Sequence, residues 1–337
     1  MTGKERVFSI LDGNPVDRLP FMPITMMFAA DTAGVRYRDY ASDYTVLAAA
    51  QCETAERYGF DHVSAISDPA REVCDLGGVI EWYDDQPPAV VESRATLDSP
   101  AKLGSLRVPD LSRGRMRDRI DAVKQLSRNT GATRVVEGWV EGPCAMAADL
   151  RGLNALMLDF VDDPDFVRDL FEFVVTMETE FALAQIEAGA DVIGVGDAAA
   201  SLIGPSRYRT FVLPYEQSLI AAIRDAGARV RLHICGNTRK ILADMGRTEA
   251  DIIDLDFLSP IAEGRAAMGP RPILLGNLDP VRCVRDGDPA AVTAAVAQCH
   301  EAAGARYIVG AGCEIPRGTP EANLRAMSDY ARSRTPV

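Results

Sequence analysis

Two segments of this chain carry side chains that could hold a metal ion. His233 and Cys235 lie two apart in RVRLHICGN (229–237), and side chains two apart on a strand share one face. Cys313 ends the run RYIVGAGC (306–313). If both runs are strands of one parallel barrel, their C-terminal ends meet at a single rim, where one imidazole and two thiols converge. That donor set suits zinc, and three protein ligands leave the fourth tetrahedral position to a substrate. Two thiolates cancel the charge of Zn2+, so the ion would activate water poorly while still deprotonating a coordinated thiol. A thiolate held this way stays electron-rich and attacks carbon, which favours alkylation of sulfur over hydrolysis. A lone His-x-Cys pair is more often a packed histidine beside an inert thiol. The strand-end placement and the polar, glycine-containing turns after both cysteines (GNT and EIPRGT) argue for ligation here.

Such a site needs parallel strands to carry it. Short β-branched runs recur at RVVEGWVEG (134–142), DVIGVGD (191–197), RVRLHICGN, DIIDLD (251–256), PILLGN (272–277) and RYIVGAGC. Amphipathic stretches separate them, which is the rhythm of strands joined by helical crossovers. Asp163 and Pro164 predict a helix start, with Phe166, Leu170, Phe173, Val174, Met177 and Phe181 on one face and a stop near Gly189. Asp288 with Pro289 opens another helix, closed by Gly304, and Thr319 with Pro320 opens a last one that turns Leu324, Met327 and Tyr330 inward. PFMPITMMF (20–28) could be an early strand, and VIEWYDDQPPAVVES (79–93) reads as a hairpin set into the wall. No repeat or Pro/Gly-rich linker divides the chain. The expectation is an α/β protein, a (β/α)8 TIM barrel forming a single domain over 1–337, with an N-terminal extension and an inserted hairpin.

Other polar residues fall at expected strand ends. Glu141, Asp197 and Asn237 are candidates for catalysis, and Met26, Asp68, Asn277 and Asp279 for cofactor binding. Several of these could instead cap helices or bridge loops. Glu141, Asp197 or Glu314 could fill the open metal position when substrate is absent, Glu141 first among them. Met26, Met27 and Phe28 could line the mouth or simply be core. His62 reads as a packed residue. Gly194 and Gly196 do not complete a dinucleotide fingerprint. Arg36, Arg151 and Arg317 could anchor a sulfonate or carboxylate tail.

Composition narrows the partners. The chain has 337 residues, 47% hydrophobic and 25% charged, as an ordinary globular protein does. Its formal net charge of −13 disfavours nucleic acid, and the arginines at 113–119 in SRGRMRDR read as a solvated helix face. The N-terminal segment has no signal-like apolar stretch and no later run approaches membrane-spanning length, so a cytoplasmic protein is expected. Seven cysteines form an odd set without the density of a disulfide scaffold.

The motifs DRLP (17–20), EGP (141–143), HICGN (233–237), GNLDP (276–280) and GCEIPRGTPEAN (312–323) give the chain a resemblance to the uroporphyrinogen decarboxylase superfamily over nearly its whole length. The His-x-Cys pair with the late Gly-Cys is similar to the corrinoid methyltransferase branch, which passes a methyl group from a methylcorrinoid to a thiol such as coenzyme M. The resemblance implies zinc on His233, Cys235 and Cys313, a methylcorrinoid co-substrate and a small thiol acceptor. It also implies a separate corrinoid protein as partner, since no Asp-x-His-x-x-Gly motif occurs here, and a homodimer. The decarboxylase branch binds tetrapyrrole propionates through an arginine-rich N-terminal segment, where this chain reads PFMPITMMFAADTAGVRYRDY. That apolar stretch could suit a corrin face. The alternatives are removal of a methyl group from a methoxylated aromatic or methylamine onto cobalt, transfer to tetrahydrofolate, decarboxylation of another substrate, and zinc or corrinoid binding without turnover.

Overall fold

The computed structural model describes residues 1–335. Its strands are β1 (His62–Ser64), β2 (Ile80–Glu81), β3 (Ala89–Val90), β4 (Val135–Glu141), β5 (Val192–Gly196), β6 (Arg229–Ile234), β7 (Ile252–Leu255), β8 (Ile273–Gly276) and β9 (Tyr307–Ile308). Seven of them form one curled parallel sheet in the order β1-β4-β5-β6-β7-β8-β9, while β2 and β3 pair as a separate antiparallel ribbon. Strands β4 and β5 are buried throughout, as a sheet covered on both faces requires.

The two edges of the sheet approach each other through residues 20–22. Val309 N–H donates to Pro20 O at 2.9 Å and Met22 N–H to Val309 O at 3.0 Å, while Asp61 N–H reaches Phe21 O at 3.0 Å. Of the expected early strand, only this short piece joins the sheet. Pro23 has no N–H to give a ladder, and the chain turns into the helix Met27–Thr32. The Glu314 carboxylate caps that helix, accepting from Met26 N–H at 3.1 Å and Met27 N–H at 2.6 Å.

The expected crossover helices form at Pro164–Glu187, Pro289–Ala303 and Glu321–Ser333. Asp163 and Asp288 cap the first two, accepting from Phe166 N–H at 3.2 Å and Ala291 N–H at 2.8 Å. At the strands' N-terminal end, the helix Gly3–Leu11 lays Val7, Ile10 and Leu11 against Val135, Val192, Ile252, Ile273 and Ile308. That apolar plug leaves the opposite end of the sheet as the open mouth. No helix among the described residues is long and apolar enough to cross a membrane.

The glycines of β5 have a packing role. A Cβ at Gly194 would lie 2.1 Å from the Trp139 ring, so the bare backbone lets the indole of β4 lie across the strand.

Candidate metal centre

His233 sits near the C-terminal end of β6, Cys235 follows that strand directly, and Cys313 lies in the loop after β9. Their nitrogen and sulfur atoms all fall within 4.8 Å of one another. The Cys235 and Cys313 Sγ atoms are 3.7 Å apart. That matches the edge of about 3.8 Å expected for a tetrahedron with Zn–S bonds of about 2.3 Å. His233 Nε2 is 2.8 Å from Cys235 Sγ, a hydrogen-bond distance that a bound ion would have to open. The donor set therefore fits zinc in type and in sulfur spacing.

The three side chains push one another's pKa values apart. Burial disfavours an imidazolium at His233, but the Cys235 thiol and Asp254 outweigh it and raise the ring's pKa well above normal. The hydrogen bond with Cys235 lowers the Cys313 thiol to about 4, against its burial, with His233 assisting. Cys235 moves up, first because it donates to Cys313.

Behind the ligands runs a buried ionic chain. His233 Nδ1 lies 3.3 Å from Asp254 O and 3.4 Å from Asp254 Oδ2, and the two residues are paired in register on β6 and β7. Arg231 donates to Asp254 Oδ2 at 3.0 and 2.6 Å and to Glu137 Oε1 at 3.2 Å. His62, packed as expected, has Nε2 3.9 Å from Glu137 Oε2. Burial lowers the His62 pKa well below normal, with Arg231 adding to the effect.

A cavity of about 170 Å³ opens onto the three ligands, walled by Ile24, Met26, Ile66, Trp139, Glu141 and Glu314 among others. Pro69, Glu141 and Ala198 also line a second cavity of about 610 Å³ beside it.

Among the expected site residues, Met26, Asp68 and Glu141 line the ligand cavity. Glu141 Oε1 accepts from Arg71 at 3.1 Å, and its pKa is raised by burial against that pairing. Asp68 is held by Arg115 through bonds of 2.9 and 2.6 Å. The other candidates lie elsewhere. Asp197 is fully buried, accepts from Ala145 N–H at 2.6 Å, and is pushed up to about 7 by burial. Asn237 is exposed and accepts from Arg239 N–H at 3.2 Å. Asn277 donates to the carbonyls of Asp256 and Ser259 at 3.1 and 2.6 Å, bracing the loop after β7. Asp279 caps the turn at Val281 and Arg282, with bonds of 2.9 and 2.8 Å.

None of the three arginines considered as anchors lines the ligand cavity. Arg36 pairs with Asp39, Arg151 with Asp159, and Arg317 with Asp31 and Asp85. The basic run at 113–119 is not a solvated face throughout: Arg119 is 1% exposed, and Arg115 turns inward to Asp68. The buried carboxylate of Asp68 accounts for Arg115, because a charge inside the fold requires a partner.

Sequence reasoning missed Asp254, Arg231, Glu137 and Arg71. For the three on strands the signal is a charged residue among buried apolar neighbours, as in RVRLH and DIIDLD, where a core-facing charge requires a partner, while Arg71 lies on the helix Ala70–Asp75.

Fold and site together define the class. The chain belongs to the uroporphyrinogen decarboxylase (URO-D) family, whose model matches residues 2–334. Within that family, it is 31% identical to the methylcobamide:CoM methyltransferase MtbA of Methanosarcina mazei over 98% of both chains. It is 30% identical to the uroporphyrinogen decarboxylase of Gloeobacter violaceus, over 73% of this chain and 69% of the other. A solved methyltransferase from Methanosarcina mazei shares the fold with a TM-score of 0.90 at 24% identity, covering 99% of both chains.

Proposed function

We propose that this protein transfers a methyl group from a methylcorrinoid to a thiol, with zinc held by His233, Cys235 and Cys313. The observation that carries the reading is the convergence of one imidazole and two thiols on a cavity at the mouth of the sheet. Zinc, when bound, would supply the Lewis acidity that keeps an incoming thiol deprotonated. Full-length similarity to a methylcobamide:CoM methyltransferase supports the same chemistry.

The chain's own residues would do the rest. Asp254 orients the His233 ring, and Glu141 on the cavity wall accepts the proton the thiol gives up. The S–CH3 bond forms as the Co–CH3 bond breaks, and its electron pair stays on cobalt. Met26, Ile24 and Trp139 exclude water from the reacting sulfur. Asp197, Asn237, Asn277 and Asp279 act indirectly, through the backbone they hold. The corrinoid would arrive on a separate protein. We read the sheet as a (β/α)8 barrel forming one domain over 1–337, with β2 and β3 as an inserted hairpin. The bonds of residues 20–22 to both sheet edges support closure.

Tetrapyrrole decarboxylation is less well supported. Arg71 lines the cavity and is paired with Glu72 and Glu141, and Arg115 is paired with the lining residue Asp68, so neither is free for a propionate.

The test is elemental analysis of protein purified without added metal, followed by methylcobalamin turnover with thiols. One zinc per chain, lost in Cys235→Ala and in Cys313→Ala, together with thioether formation, is the expected result. Freshly reduced wild type that binds no zinc when the ion is supplied would end this reading.

A further inference from the structure

The proposed function leaves the acceptor thiol unspecified, but the cavity onto which the three ligand side chains open limits what can follow the sulfur. Ile24, Met26, Ile66 and Trp139 line it together with His233, Cys235 and Cys313, and nearly all the surface it presents is apolar. Ile24, Ile66 and Trp139 pack as one buried cluster, with the partly buried Met26 against it. The volume of about 170 Å³ lies below the range of about 300–1,000 Å³ usual for drug-sized ligands, so the occupant is small.

The charged groups in the same lining are turned to partners inside the fold. Asp68 accepts from Arg115 at 2.9 and 2.6 Å, and Glu314 from the backbone N–H groups of Met26 and Met27 at 3.1 and 2.6 Å. Arg71, the one guanidinium of the lining, is 1% exposed and donates to Glu141 at 3.1 Å and to the Asp68 carbonyl at 2.5 Å. Its Nε has no partner, but it is buried within the fold and offers the cavity almost no surface.

A tail placed here exchanges water for hydrocarbon. A sulfonate or carboxylate would lose its hydration with no unpaired guanidinium or ammonium among the lining residues to replace it, which is costly. A hydroxyl would meet an apolar wall without a hydrogen-bonding partner. An alkyl group gains from burial instead, in proportion to the apolar area it removes from water.

Building on the thiol-methyltransferase reading, we infer that the acceptor is a short aliphatic thiol with no charged group, its tail seated against Ile24, Ile66 and Trp139 while its sulfur meets His233, Cys235 and Cys313. The thiol gives its proton to Glu141 and takes the methyl group as the Co–CH3 bond breaks with its electron pair left on cobalt. The tail undergoes no chemistry.

Three thiols that differ only at the far end test this: 1-propanethiol, 2-mercaptoethanol and 2-mercaptoethanesulfonate. Each is assayed with methylcobalamin and the zinc-loaded full chain, following thioether and cob(I)alamin, and its binding is measured by calorimetry without the cobalamin. The expected order of kcat/KM and of affinity is alkyl, alcohol, sulfonate, with propanethiol roughly tenfold above mercaptoethanol. Ile66→Thr brings a hydroxyl to the wall and should contract that ratio several-fold. Met26→Gln, at a partly buried position, should contract it to a smaller degree. Zinc content and circular dichroism establish that each variant is folded. The intrinsic acidity of each thiol is the same in every assay, so a change in ratio reports the wall. A sulfonate or alcohol that outpaces propanethiol, or a ratio unmoved in both variants, overturns the inference and leaves the methyltransferase reading standing. Methylation of none of the three removes that reading, and this inference with it.

Discussion

His233 and Asp254 face each other across β6 and β7, with the ring Nδ1 3.4 Å from the carboxylate Oδ2. The contact turns Nε2 toward Cys235 and fixes which ring nitrogen is free to bind a metal. Arg231 in turn holds the carboxylate with two bonds, at 3.0 and 2.6 Å. The proposed metal ligand, its orienting acid and the guanidinium beneath them thus form one unit.

Asp254→Asn should therefore weaken zinc binding by roughly 10- to 100-fold while leaving all three ligands in place. Competition with a chromophoric chelator measures this directly. An unchanged affinity would show that backbone packing alone orients the ring.

Stability should fall as pH rises from about 5 to 8. Burial raises the Glu72 carboxyl to about 8 in the folded protein, against the pull of Arg71. The unfolded chain loses that proton near the ordinary glutamate value of about 4.3, so ionisation increasingly favours unfolding across the window. Thermal unfolding of wild type and Glu72→Gln, followed against pH, should show the wild-type curve sloping down more steeply. Parallel curves would refute the assignment.

Arg115→Ala should destabilise the fold by about 3–5 kcal/mol, because it strands a buried carboxylate. Asp68 is 3% exposed, and Arg115 is its ion-pair partner. Denaturant unfolding gives the number. Lysine at the same position should recover only part of the loss, since an ammonium cannot grip both oxygens as the guanidinium does.

Gly194→Ala tests the packing of Trp139, whose ring would lie 2.1 Å from the new Cβ. Overpacking of this kind costs about 1–3 kcal/mol. Because Trp139 also lines the ligand cavity, its fluorescence should shift along with the loss of stability.

Much of this organisation was legible in the chain. The six quoted β-branched runs contain strands β4 to β9, and the Asp-Pro pairs at 163–164 and 288–289 mark helix starts that the structure keeps. Residue type and strand-end position singled out His233, Cys235 and Cys313, and the structure brings the three side chains together. What stayed hidden depends on contacts between distant segments. Glu314, a candidate for the metal's open position, also caps a helix 287 residues earlier, at Met27. Arg115, in a run that looks solvated, is drawn inward by Asp68. Asp279 and Asn237 sit in motif-like surroundings yet serve turns, because a short polar side chain next to a strand end is equally suited to satisfying loop N–H groups.

The hydrogen-bonded seam between Phe21 and Val309 also sets the order in which the molecule can be finished. During synthesis the first of these residues waits while almost the entire sheet is made, and its partner emerges only just before Cys313. Contacts so far apart in sequence close late and slowly. The growing chain therefore carries the proposed ligand pair His233 and Cys235 for some time before Cys313 exists, and it must keep two unfinished sheet edges from pairing with neighbours until the last strand arrives.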